Sequence, residues 1–202
     1  WVVSSGKVIV REGRLLASAR SHPFTARSLN SVQLSRDTKP ADFKIHANGY
    51  SDSATVRVID LVTDLVTAEL KMQLPVSDGE LKPDIDQDIL KVSAIDRTNR
   101  PGKIFCGLIK GFGLKSGAMA CSAAWDCSDI VAVGANDEDL AAAVNRIRVL
   151  QGGAVLCENG EILAELPLPI FGVMSDLPTE DIARKLKQIR KTAAALGVPH
   201  PD

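Results

Sequence analysis

The sequence predicts an α+β fold in which a mixed or largely antiparallel sheet carries two main helices. Apolar, β-rich runs recur from residue 54 onward, and only two segments have the spacing of amphipathic helices. A short hairpin pattern also precedes an irregular stretch near the N-terminus. Because the strand-like runs do not alternate regularly with helices, a parallel doubly wound sheet is not expected.

The N-terminal residues predict a hairpin followed by a connector. Two apolar runs within residues 2–16 flank the turn pair Glu12-Gly13, which favours a tight reversal. Residues 17–41 are rich in Ser, Arg, Thr and Pro, which indicates a connector that crosses a surface between two packed units. Residues 1–41 and 42–202 are therefore predicted as separate units. Since the chain begins at Trp1, we expect it to be part of a longer protein.

The second unit begins with strands. Its apolar runs are spaced like the strands of one sheet or of two stacked sheets. These runs occupy residues 55–59, 65–72, 89–95, 104–109, 118–124 and 130–133. A later hairpin is predicted at Asn159-Gly160, because this dipeptide favours the two-residue turns of hairpins.

Two segments predict helices. The first follows Asn136, a suitable N-cap, and should end where Gly152 and Gly153 can take the left-handed conformation. The second begins near Thr179 and ends at Gly197. The face predicted to be buried on the second helix consists of Ile182, Leu186, Ile189, Ala193 and Leu196.

The composition excludes several classes of function. The chain has 24 Lys and Arg against 25 Asp and Glu, a net charge of -1, and no long basic run, so nucleic acid is not an expected partner. No apolar stretch is long enough for a membrane helix, so a cytoplasmic location is expected. The cysteines are predicted to be buried free thiols; they are Cys106, Cys121, Cys127 and Cys157.

Two sequence blocks carry a family resemblance. In residues 111–134, small residues and apolar runs converge on a short polar turn, and residues 166–175 read Leu-Pro-Leu-Pro-Ile-Phe-Gly-Val-Met-Ser. Together they resemble the C-terminal domain of the adenine deaminases of the amidohydrolase superfamily, with a likeness from about Asp42 to Gly197. The hairpin near Gly13 resembles the end of the small β-sandwich domain of amidohydrolases.

The polar turn departs from the family motif. Where the family has His-Asp-Ser-His-Asn, this chain has Trp125-Asp126-Cys127-Ser128-Asp129. Asp126 matches the family residue and is the candidate catalytic group. The family run Ile-Glu-Arg-His corresponds here to residues 95–98, Ile-Asp-Arg-Thr. The other candidates to face the substrate or the cleft are Trp125, Cys127, Ser128, Asp129, Asp96 and Arg97.

The resemblance implies a hydrolase that acts on C–N bonds. The parent protein would convert adenine and water to hypoxanthine and ammonia in adenine catabolism. A binuclear Mn or Fe centre would lie in a barrel domain outside this chain. No metal site is expected within the chain, because its histidines, His22, His46 and His200, stand alone. The chain by itself is therefore expected to be inactive. The implied partners are a purine base, the barrel domain and further copies of the protein.

Four alternatives stay open. The domain could be a diverged, non-catalytic interaction or lid module, with Trp125 filling a former ligand site, or it could serve a deaminase of another substrate. Asp126 and Asp129 could converge and raise one pKa, although a solvated turn is favoured. Cys127 could be a nucleophile, but the sequence places no histidine near it.

Overall fold

An eight-stranded sheet forms the centre of the structure. The computed structural model describes residues 1–18, 22–63, 66–124 and 127–199. The first elements are β1 (Val2–Ser4), β2 (Lys7–Arg11), β3 (Arg14–Leu15), α1 (Ala26–Leu29), β4 (Ile45–His46), β5 (Ser53–Thr63) and β6 (Val66–Pro75). They are followed by β7 (Glu80–Leu81), β8 (Ile89–Ile95), β9 (Ile104–Lys110), β10 (Ala118–Cys121) and β11 (Ile130–Gly134). The last elements are α2 (Asp137–Leu150), β12 (Gly153–Glu158), β13 (Glu161–Pro167) and α3 (Thr179–Ala195).

The strand order of the large sheet is β13-β12-β10-β11-β8-β9-β5-β6. Its neighbours are antiparallel except β5 and β9, which run parallel and pair only at residues 59–60 with 109–110. The predicted hairpin at Asn159-Gly160 joins β12 to β13. The prediction of an α+β fold with a mixed, largely antiparallel sheet and two main helices is confirmed.

The two long helices cover opposite faces of this sheet. Helix α2 buries Leu140, Ala143, Val144 and Ile147 against inward residues of β8, β10, β11 and β12. Helix α3 buries Ile189 and Ala193 in a second cluster. Full burial of a leucine or isoleucine side chain contributes roughly 1.5–3 kcal/mol. The apolar periodicity of both helices is therefore satisfied by the sheet between them.

The C-terminal end of α2 differs from the prediction. Asn136 caps the helix as expected, because its Oδ1 accepts the backbone N–H of Asp139 at 2.7 Å. At the other end, however, Gln151 takes the left-handed conformation with φ 59°. Its side-chain amide donates to the Arg148 carbonyl at 2.9 Å. Gly152 serves a different purpose, since a Cβ there would lie 2.3 Å from the Cα of Gly172.

Helix α3 confirms the second predicted helix, with one exception. Ile182 is half-buried and Ile189 and Ala193 are buried, but Leu186 is 45% exposed. The prediction that Leu186 faces inward was wrong, because α3 packs mainly on β12 and β13 and only a narrow stripe is covered. None of the helices in the described ranges is both long and apolar enough to cross a membrane.

The N-terminal hairpin is part of a three-stranded sheet. Arg11 pairs with Arg14 around Glu12-Gly13 as predicted, and β1 adds a strand that the sequence pattern did not reveal. Every residue of these strands except Ile9 and Val10 is exposed. An isolated sheet of this size lacks a core of its own. The assignment of residues 1–41 to a separate β-sandwich unit stays a prediction.

The second half of the predicted connector is packed rather than exposed. Val32, Leu34 and Phe43 are buried in the same cluster as α2. Thr38 donates its backbone N–H to Asn145 Oδ1 at 2.8 Å, and the Asn145 amide donates to the Thr38 carbonyl at 2.9 Å. The segment before β4 is therefore fixed to the outer side of α2 and belongs to the core.

Candidate functional site

The predicted site residues that the structure describes, which are Asp96, Arg97 and residues 127–129, lie at one end of the large sheet. Ile95, the last residue of β8, pairs with Ile130 at the start of β11. Cys121, the last residue of β10, pairs with Val131. Because these strands are antiparallel neighbours, the turn between β10 and β11 lies beside the residues that follow β8. This arrangement brings the polar turn of the first sequence block next to Arg97.

Arg97 joins three segments of the chain. Its Nε donates to the Ser128 carbonyl at 2.7 Å, Nη1 to the Ser31 carbonyl and Oγ at 3.2 Å each, and Nη2 to the Phe171 carbonyl at 3.1 Å. Only 4% of the residue is exposed. A guanidinium has its donors in a rigid planar fork. Arg97 therefore fixes the two sequence blocks and the segment after α1 relative to one another.

The charged guanidinium group of Arg97 is buried. Burial lowers the pKa of its guanidinium, whereas the negative charge of Asp129 acts in the opposite direction. A guanidinium nevertheless stays protonated in proteins because its intrinsic pKa is so high. The half-buried Asp129 thus supplies the nearby negative charge, and the three carbonyls accept the guanidinium hydrogens.

Ser122 forms a second connection between the blocks. Its fully buried hydroxyl donates to the Gly172 carbonyl at 2.6 Å and accepts the backbone N–H of Gly153 at 2.8 Å. Gly172 is also in contact with Arg97, because a Cβ on Gly172 would lie 2.7 Å from Nη1 of Arg97. The loop after β13 is therefore held from two sides at a position that only glycine suits.

Asp96 organises its own loop and does not point to the polar turn. Its carboxylate accepts the backbone N–H groups of Thr98, Asn99 and Arg100 at 2.8–2.9 Å. The hydrogen bond from Thr98 is the main reason that the pKa of Asp96 is held below its usual value. Asp96 thus fixes the turn that begins immediately after Arg97.

The structure describes three of the five residues of the polar turn. Cys127 and Ser128 are exposed and Asp129 is half-buried. Trp125 and Asp126 lie outside the described residues, so the proposed pairing of Asp126 with Asp129 stays a prediction. The turn is held through its backbone by the bond from Arg97 to Ser128, which leaves the side chains of Cys127 and Ser128 directed to solvent.

The four cysteines are free, as predicted, but they are not all buried. Cys157 is buried, Cys106 and Cys121 are half-buried, and Cys127 is exposed. The prediction was wrong for Cys127, because apolar neighbours in the sequence do not show which residues occupy a turn. Burial raises the pKa of Cys157 to about 12, so this thiol is protonated at neutral pH.

The described residues do not fit a binuclear metal centre. Nowhere among them are three or more His, Cys, Asp or Glu side chains grouped closely enough to hold a metal ion. His46 is exposed in β4, and His22 makes an edge contact with Phe24 at 4.8 Å between ring centroids. His200 lies outside the described residues. No chemical step of this chain is therefore assigned to a bound metal.

A cavity of about 600 Å³ lies elsewhere, where β5 and β9 separate. Its walls include Val58, Ile59, Phe105 and Leu108, and an ion pair between Arg57 and Glu69 belongs to its lining. Neither Arg97 nor the described residues of the polar turn line this cavity. The cavity is therefore separate from the candidate site.

Sequence reasoning missed three residues that build the site: Ser31, Ser122 and Gly172. Ser122 directly follows β10, and Gly172 comes shortly after Pro167 and Pro169 in the second block. A serine inside an apolar run and a glycine shortly after the Leu-Pro-Leu-Pro run were the available signals. The partners of these residues are 31 to 75 positions away, and no local pattern reveals them.

Comparisons with known proteins agree with the two blocks. The family model of the adenine deaminase C-terminal domain matches residues 64–202. An adenine deaminase of Dehalococcoides mccartyi is 40% identical over 197 residues, which are 97% of this chain and 34% of that protein. An adenine deaminase of Moorella thermoacetica is 35% identical over 97% of this chain and 33% of its own length.

The similarity reaches further toward the N-terminus than the sequence blocks indicated. An adenine deaminase of Desulforamulus reducens is 34% identical over all 202 residues of this chain. The chain spans about a third of the length of these curated relatives. The predicted family resemblance is thus confirmed, and the chain belongs to the adenine deaminase C-terminal domain family.

Proposed function

We propose that this chain is the C-terminal part of a metal-dependent adenine deaminase, which converts adenine and water to hypoxanthine and ammonia. In this proposal the chain presents the polar turn of residues 125–129 to a catalytic centre carried by the rest of the protein. The metal ions, Mn or Fe, are held outside this chain. The protein would accordingly act in adenine catabolism.

The hydrogen bonds of Arg97 carry the proposal. They connect the Ser128 carbonyl in the first family block to the Phe171 carbonyl in the second. The described part of the turn is therefore held at Ser128, even though the side chains of Cys127 and Ser128 are exposed. Pre-positioning of loop residues by buried groups is what a catalytic site requires, because small displacements of reacting groups reduce rates strongly.

Asp126 is the residue of the turn that would touch the substrate. Deamination requires protons to be moved between water, the ring and the leaving amino group, and a carboxylate can accept and return a proton. The neighbouring indole of Trp125 can donate a hydrogen bond but cannot carry a proton. The proposal therefore gives Asp126 the role of proton carrier or base-edge contact and gives Trp125 a packing role.

A chimera tests the proposal. This chain replaces the matching third of the Dehalococcoides mccartyi adenine deaminase, and ammonia release from adenine is measured with added Mn²⁺. We expect turnover, and we expect Asp126→Asn to reduce kcat by about a hundredfold or more. Asp86→Asn, a change of the same type on an exposed residue before β8, at the other end of that strand from the turn, serves as the matched control and should leave kcat unchanged.

The same experiment decides between the alternatives. A folded chimera that turns over other purines but not adenine would show a changed substrate. A folded chimera that binds metal yet deaminates none of them would contradict the proposal and favour a non-catalytic lid or interaction module. Calorimetry of the chain with adenine, with and without Asp126→Asn, then distinguishes a retained binding site from a purely structural domain.

A further inference from the structure

We infer that two copies of this chain associate edge to edge through β6, in antiparallel register with Leu70 opposite Leu70 of the second copy. The inference concerns assembly and does not depend on the proposed deaminase activity. It follows from the position, exposure and charge order of this strand.

Strand β6 is a long edge with one partner. It spans Val66–Pro75 at the end of the eight-stranded sheet and pairs with β5 alone among the described strands. Its outer row of backbone N–H and C=O groups faces away from the sheet. Edges of this length usually carry protection, such as bulges, prolines or inward-pointing charges. Before Pro75, β6 has only Glu69 and Lys71 as charged residues.

The charges of Glu69 and Lys71 can pair with the same two charges on a second copy of the chain. A two-fold axis perpendicular to the sheet keeps each side chain on its own face of the sheet. The residue numbers of two directly opposed positions must therefore add up to an even number. With Leu70 on the axis, Glu69 lies opposite Lys71 of the second copy, and Lys71 lies opposite its Glu69. Both side chains are exposed, by 44% and 72%. Within the chain Glu69 is bound by Arg57 and lies 4.0 Å from Lys71, and the second copy would give each of the two residues a further opposite charge. Opposite charges directly across antiparallel strands stabilise the pair.

The neighbouring registers are excluded by the same charges. An axis at Glu69 would place the two glutamates opposite each other, and an axis at Lys71 would do so for the two lysines. Like charges directly opposite one another are destabilising. An axis two residues further along in either direction would shorten the overlap and leave both charges without an opposite charge on the second copy. The charge order thus selects one register out of several.

Exposed apolar surface is covered in the selected register. Val66 is 54% exposed at one end of β6, and the register brings it beside Leu74 of the second copy on the same face. Ala68, which is exposed, lies beside Met72 in the same way. On the other face, Thr67 lies beside Gln73. One face of the junction is therefore apolar and the other polar, as in the sheet itself.

Sedimentation measurements on charge variants test this register. We expect the native chain to form a dimer, and we expect Glu69→Lys or Lys71→Glu alone to raise its dissociation constant by about tenfold or more. The double variant Glu69→Lys/Lys71→Glu restores opposite charges and should dimerise like the native chain. In the native chain Arg57 bonds to Glu69 at 2.7 Å. The double variant still has a carboxylate opposite Arg57, at residue 71. Thermal unfolding confirms that each variant is folded.

Cross-linking provides a second, independent measurement. In a Cys127→Ser background, Leu70→Cys places two thiols across the axis, within the distance of a disulfide. Oxidation should give covalent dimers. Thr67→Cys is the control, because two copies of this position would be about 20 Å apart. A monomeric native chain, charge variants that dimerise normally, a double variant that fails to recover, or equal cross-linking of both cysteine variants would each overturn the inference.

Discussion

A Cβ atom on Gly172 would lie 2.7 Å from Nη1 of Arg97 and 3.0 Å from its guanidinium carbon. The backbone of the loop after β13 therefore rests directly against the charged group that also holds the polar turn. Any side chain at residue 172 would displace this group from its carbonyl partners. The contact explains why the two blocks of the sequence depend on each other structurally.

Gly172→Ala should lower the free energy of unfolding by roughly 3 kcal/mol. The substitution combines an unfavourable φ of +72° with displacement of a buried, hydrogen-bonded guanidinium. Urea denaturation measures the loss. The control is Gly160→Ala, at a similar φ of +77° with nothing within 4 Å of the added atom, and it should cost only about 1 kcal/mol. Equal losses for both variants would show that the Arg97 contact is unimportant.

Arg97→Lys should destabilise the chain by roughly 3 kcal/mol even though it keeps the charge. A single ammonium cannot reach the carbonyls of Ser128, Ser31 and Phe171 together, and buried acceptors without donors are costly. Amide hydrogen exchange should become faster in residues 127–129 and 171–173. Arg100→Lys, on an exposed residue nearby, should change neither quantity. Unchanged exchange in the Arg97 variant would contradict its positioning role.

Asp42 should make stability depend on acidic pH. Its carboxylate binds the Arg36 guanidinium at 2.6 and 2.7 Å, and this bond is the main reason that the pKa falls from 3.8 to about 2. Since the folded-state pKa is lowered, the stabilisation is present above pH 4 and is lost as the pH falls to about 2.

Asp42→Asn tests this dependence. It should reduce the free energy of unfolding by about 1 kcal/mol at neutral pH, a value discounted because the Arg36 side chain is largely exposed. The difference from the native chain should close between pH 4 and about 2. Asp86→Asn, on an exposed residue, is the control. A constant difference across this window would mean that the ion pair contributes nothing.

Cys127 should be the first thiol to react with a maleimide at pH 8. It is exposed, whereas Cys157 is buried with its pKa raised to about 12, and the thiolate is the reactive form. Mass spectrometry should find one rapidly labelled site, which Cys127→Ser removes. If Cys127 reacts at pH 6 no faster than in the unfolded chain, it is not an activated nucleophile. Rapid labelling of Cys157 in the folded chain would contradict the structure.

Local patterns in the sequence predicted the two long helices and the longer strands, whereas they did not reveal short elements such as β1. Asn136 marked the start of α2, and Asn159-Gly160 marked the hairpin of β12 and β13, because caps and tight turns depend on adjacent residues. Local patterns failed where neighbours distant in the chain decide the outcome. Gln151 takes the left-handed position at the end of α2, while Gly152 lies against Gly172. Leu186 is exposed because only a narrow stripe of α3 packs on β12 and β13.

The sequence by itself determined the family, the α+β class and the two blocks that form the candidate site. Only the tertiary structure decided that Arg97 lies beneath the polar turn, with partners 31, 66 and 74 residues away. Periodicity reports which face of an element is apolar, since that follows from the geometry of one helix or strand. It carries no record of which distant carbonyls a buried guanidinium will meet, because that depends on how the strands are ordered in the sheet.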